Sequence, residues 1–93
     1  MAQNTTIQVP ALAWTQLTDA DVTSITFQNR TAYAVLIKGT TDATAPSDNI
    51  GALRYNPGQG ERNVELADLF PGIAAVRLWA FSESASEVTV SNA

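Results

Sequence analysis

The spacing of the apolar residues constrains this chain more than any other feature. They alternate with polar residues over short runs, each closed by turn formers, and no amphipathic segment is long enough for a helical bundle. Residues 22–28 place Thr23, Ile25 and Phe27 on one face and Val22, Ser24, Thr26 and Gln28 on the other. That is the two-residue period of a strand. Residues 33–38 are the strongest such run, with Tyr33, Val35 and Ile37 opposite Ala34, Leu36 and Lys38. Apolar side chains on both faces predict a central strand covered twice. A late run, residues 75–81, sets Val76, Leu78 and Ala80 against Arg77, Trp79 and Phe81.

Further strands are predicted at residues 6–9, 13–17, 50–55, 61–65 and 87–91. Pro10 ends the first or confines it to an edge. Asn29-Arg30-Thr31 reads as a hairpin turn. Asn56-Pro57-Gly58-Gln59-Gly60 is the clearest turn, because Pro fixes φ at one corner and Gly permits positive φ at the next. Leu66-Ala67-Asp68-Leu69-Phe70 carries its large side chains at helical spacing, so one helical turn is expected near residues 66–70, stopped by Pro71-Gly72. The whole is all-β: a small antiparallel β-sandwich, jelly-roll-like or a small barrel, of about seven or eight short strands. Residues 1–6 are polar and read as a flexible N-terminal arm, and residues 7–93 as a single domain. Residues 39–49 form a long loop rich in Thr, Ala, Asp and Ser. A loop of that length either binds something or is a plain excursion into solvent.

Ninety-three residues give room for one domain with a modest core. The chain has no His and no Cys, so neither a disulfide nor a zinc site can staple it. Stability must come from tight packing, oligomerisation or docking on a partner. The same absences remove the usual acid–base groups and nucleophiles of neutral-pH catalysis. Net charge is −4, Arg30, Arg54, Arg62 and Arg77 are scattered, and Lys38 stands alone. Without a basic cluster, neither nucleic acid nor an anionic membrane is an expected partner. No apolar run is long enough to span a bilayer, and no signal peptide is expected at the start.

The remaining polar residues have ordinary explanations. Asp19 and Asp21 suit turn caps better than a calcium site, which needs more oxygens. Asp42 and Asp48 flank the long loop. Nothing singles out an acid and a base among Glu61, Glu65, Asp68, Glu83 and Glu87. Ser82, Ser84, Ser86 and Ser91 have no His to activate them. The turn at Asn56 lacks the Lys and Ser/Thr of a phosphate-binding loop. No catalytic residue, metal ligand or cofactor is expected. Arg77, Trp79 and Phe81 share one strand face, either partly in the core or as an interface patch, since Trp and Arg are enriched at binding hot spots.

The layout resembles the small β-sandwich structural proteins of tailed bacteriophages. The resemblance runs through Trp14-Thr15-Gln16-Leu17, Phe27-Gln28-Asn29, the Ala/Thr/Pro loop at residues 40–46, Tyr55-Asn56-Pro57-Gly58-Gln59-Gly60-Glu61, Leu66-Ala67-Asp68-Leu69-Phe70-Pro71-Gly72, Leu78-Trp79-Ala80 and Val88-Thr89-Val90-Ser91. It implies a virion component that decorates or cements the capsid surface, as a homo-oligomer, trimers included. Its partner would be the major capsid protein or another virion protein. The contact residues expected here are Arg77, Trp79 and Phe81, with Gln3, Asn4 and Thr5 of the arm and Tyr55, Asn56, Gln59 and Glu61 of the turn. The alternatives are a head-spike base, a tail or receptor-binding module, or a carbohydrate-binding domain with Trp14 or Trp79 as its stacking platform.

Overall fold

The computed structural model describes residues 3–92. Its strands are β1 (Gln3–Val9), β2 (Thr15–Gln16), β3 (Ser24–Asn29), β4 (Val35–Thr40), β5 (Leu53–Tyr55), β6 (Gly60–Glu65), β7 (Arg77–Phe81) and β8 (Ser86–Asn92), with one helical turn, α1 (Leu66–Leu69), between β6 and β7.

The pairing follows a simple rule. β1 pairs with β8, β2 with β7, β3 with β6 and β4 with β5, all antiparallel. The chain is therefore one long hairpin doubled back on itself, with its tip in the loop of residues 41–52. Rolling that ribbon over adds two further pairs, β3 with β8 and β4 with β7. The result is two four-stranded sheets, ordered β1-β8-β3-β6 and β2-β7-β4-β5. This is the eight-stranded jelly roll, a double sheet rather than a single barrel.

The alternation read from the sequence sorts residues between core and surface. Ile25 and Phe27 of β3, Val35 and Ile37 of β4, Leu78 and Ala80 of β7, and Val88 and Val90 of β8 are all buried between the sheets. Register brings them into direct pairs, Phe27 with Val90 and Ile37 with Ala80. Each large aliphatic side chain so buried contributes about 1.5–3 kcal/mol. Leu66 of α1 and Phe70 just after it close one end of this core. The Phe70 ring lies against β4 because residue 39 is glycine: a Cβ there would stand 2.8 Å from Phe70 Cδ2. β4 is an interior strand, and the face it turns away from the core is half-buried at Leu36, Lys38 and Thr40.

Two local expectations are corrected. Asn29-Arg30-Thr31 does not close a hairpin, because β3 and β4 lie in different sheets and the chain crosses from one to the other there. Asn29 is the corner. It is buried, and its Nδ2 donates to the carbonyls of Tyr33 at 2.6 Å and Tyr55 at 3.1 Å. Its Oδ1 accepts from the Thr31 N–H at 3.0 Å, and its backbone exchanges bonds with Gln59 and Gly58. One amide thus fastens two crossing connections together.

The second correction concerns the arm. Residues 3–6 belong to β1, paired in unbroken register with β8 from Gln3 opposite Asn92 to Val9 opposite Ser86. Threonines favour extended backbone, and β8 supplies a ladder for them to join. Met1 and Ala2 of the expected arm lie outside the described residues. The strand expected at residues 13–17 shortens to Thr15 and Gln16, with Leu17 buried just beyond it.

Candidate functional site

The residues expected to make contacts fall into three separate places. Arg77, Trp79 and Phe81 lie on the outer face of the β2-β7-β4-β5 sheet. Tyr55, Asn56, Gln59 and Glu61 belong to the β5–β6 crossing, and Gln3, Asn4 and Thr5 to β1 in the other sheet.

Trp79 is not available as an exposed anchor. It pairs with Gln16 on one side and Lys38 on the other, and only 6% of it is exposed. Its Nε1–H donates to Thr40 Oγ1 at 2.8 Å. Lys38 is held beside it by Asp48, at 2.8 Å from Nζ to Oδ1. That hydrogen bond from Lys38, aided by the Ile50 N–H, holds the Asp48 carboxyl below the usual range. On an interior strand, an outward side chain has neighbours on both sides, and a long ring is covered by them. Arg77 is half-buried and bound to Asp21, with Nε 2.7 Å from Oδ1. Phe81 is half-buried against Trp14, with ring centroids 5.3 Å apart and planes tilted by 42°.

Tyr55 also belongs to the core. Its ring meets Phe27 edge-on at 5.0 Å, and its hydroxyl donates to Glu61 Oε2 at 3.1 Å. Burial pushes the Tyr55 phenol up from its ordinary value of 10.0, and the Glu61 carboxylate beside it pushes the same way. A raised folded value means that the stabilisation is complete below pH 10 and lost as pH climbs past it. Tyr55→Phe is therefore expected to cost about 0.5–1.5 kcal/mol in urea melts at neutral pH. It should also flatten the fall in stability above pH 10, and an unchanged alkaline slope would assign that slope elsewhere. Gln59 serves its own turn, with Oε1 accepting from the Asn56 N–H at 2.9 Å.

Phe81 and Asn56 do come together, in a cleft of about 640 Å³ on the outer face of this sheet. Leu36 lies between Arg54 and Phe81 in register, so the three form a row across β5, β4 and β7. Tyr33 stands beside the row, 52% exposed, and Asn49 and Glu83 complete the rim. Sequence reasoning missed Tyr33, Leu36, Arg54, Asn49 and Glu83. They come from separate segments and meet only once the strand order is known.

The edges of the sheets form the second candidate surface. β2 has two residues and β5 three, too short to template another strand. β6 is interrupted by a bulge at Asn63, which has φ of 48° and whose N–H bonds Thr26 Oγ1, and it carries Glu61, Arg62 and Glu65. β1 differs. It runs for seven residues, Gln-Asn-Thr-Thr-Ile-Gln-Val, without a charge, proline or register break. Asn4, Thr5, Thr6 and Gln8 are exposed, and β8 is its one sheet neighbour.

Among the described residues, no group of three His, Cys, Asp or Glu side chains is placed to hold a metal ion. No family model, curated protein or solved structure matches this chain.

Proposed function

We propose that this chain is a non-enzymatic structural protein of a tailed-phage virion, binding the capsid surface as a decoration or cement protein. The observation that carries the reading is the open edge of β1. Soluble proteins blunt long strand edges with charges, prolines or bulges. The β6 edge is treated that way and the β1 edge is left regular and uncharged. An edge of this kind suits strand addition, in which main-chain hydrogen bonds supply affinity and alternate side chains supply fit. The jelly roll is an architecture that capsid and lectin domains use, which supports the reading by analogy alone. Repetition of one weak contact over a lattice supplies the avidity that a single edge lacks.

The test is co-sedimentation of the purified protein with capsids assembled without it, and light scattering for the mass of the docking unit. The expected result is saturable binding at a fixed ratio to the major capsid protein. Thr5→Lys places a charge on the open edge at an exposed position and should weaken that binding by about tenfold while leaving the melting temperature unchanged. Absence of saturable binding by the native chain would overturn the proposal. Full binding by the lysine variant would move the contact away from β1.

A further inference from the structure

We infer that the cleft on the outer face of the β2-β7-β4-β5 sheet is a binding site for a neutral oligosaccharide. The floor of the cleft is an apolar strip built from Leu36 and Phe81, with the exposed Tyr33 ring beside it. Phe81 packs against the Trp14 ring, 5.3 Å away and tilted by 42°, which holds it in place. The row from Arg54 through Leu36 to Phe81 crosses two strand spacings, about 10 Å, a length that accommodates two sugar rings end to end.

The rim supplies the complementary chemistry. Arg54 donates, Glu83 accepts, and the amides of Asn49 and Asn56 do both. Among the described residues, none of these four side chains is engaged in an ion pair or a side-chain hydrogen bond. They contrast with the other end of the same sheet face, where Lys38, Arg77 and Trp79 are already bound to Asp48, Asp21 and Thr40.

The combination selects a class of ligand. One Arg is offset by one Glu, so the cleft has no net charge with which to hold a phosphate or a nucleic acid. An apolar peptide would leave four polar side chains desolvated without partners. A sugar ring presents a C–H face to an aromatic floor and hydroxyls, each donor and acceptor, to a mixed rim. The sugar platform thus consists of Tyr33 and Phe81, and the buried Trp79 has no part in it.

The experiment titrates the full chain with maltohexaose, cellohexaose, chitohexaose and mannohexaose, read by calorimetry and by amide NMR shifts. At least one of them should bind saturably at millimolar concentration or tighter, shifting amides around Tyr33, Leu36, Asn56 and Phe81. Tyr33→Ala and Arg54→Ala change exposed residues and should each weaken binding by about tenfold without lowering the melting temperature. Thr6→Ala, on the opposite sheet, should leave it unchanged. Absence of saturable binding by all four sugars, shifts confined to other surfaces, or full affinity in both cleft variants would overturn the inference. Capsid sedimentation does not enter this result, so the virion reading and the sugar site can fail separately.

Discussion

Gly60→Ala is expected to destabilise the domain by more than about 3 kcal/mol, a large share of the 5–15 kcal/mol that holds such a domain together. A Cβ at residue 60 would stand 2.7 Å from Gln28 Cα and would overlap the carbonyl oxygen of Phe27. Both are backbone atoms of β3, in the middle of a sheet, and neither can swing aside as a side-chain tip can. β6 would have to part from β3 where Gln28 pairs with Gly60, next to the Asn29 corner. Gly58→Ala supplies the comparison. Residue 58 has φ of 81° and open space around it, so the cost there is backbone strain alone, about 1–2 kcal/mol. Urea melts of the two variants should differ clearly. Equal losses would mean that β6 does not approach β3 this closely.

Trp79→Ala is expected to cost about 3–5 kcal/mol in the isolated chain. Only the interface-patch reading of Arg77, Trp79 and Phe81 would predict the opposite, loss of assembly with the fold mostly intact. The ring is buried between Gln16 and Lys38, and Thr40 holds its N–H, so truncation opens a cavity on the sheet and leaves the Thr40 hydroxyl without its donor. Trp79→Phe keeps most of the ring and should cost much less, about 0.5–1.5 kcal/mol for the hydrogen bond plus a small packing loss. An alanine variant that melts with the native chain would return Trp79 to the surface and reopen its role as a contact residue.

Much of the fold is legible in the residues, and the limits have a physical pattern. Alternation in residues 22–28 and 75–81 groups Ile25 with Phe27 and Leu78 with Ala80, because it depends on local geometry alone, and the structure shows those two faces to be the buried ones. The single helical turn and the proline-glycine turn are equally local. What fails is whatever depends on the partner strand. Turn chemistry at Asn29 says that the chain bends and does not say into which sheet. Arg77, Trp79 and Phe81 look alike from sequence, since all three leave the core-facing side of β7. Their fates diverge through neighbours far along the chain: Asp21 takes the first, Thr40 and Lys38 cover the second, and Trp14 packs against the third. Residues 3–6 are misread for the same reason, because the strand that orders them lies at the far end of the sequence. The cleft is the extreme case. Its walls come from several crossings, and only Phe81 and Asn56 carried a signal beforehand.

The doubled-ribbon topology also has a consequence in time. In one sheet β8 lies between β1 and β3, and in the other β7 lies between β2 and β4. The interior places beside the earliest strands are thus reserved for the two latest. A ribosome releases β1 and β2 first, yet neither has a sheet neighbour until β8 and β7 follow. Local pairing of β4 with β5, and then of β3 with β6, needs neither β7 nor β8 and can form earlier. The β1 edge therefore first exists as an ordered surface once β8, at the far end of the sequence, has paired with β1.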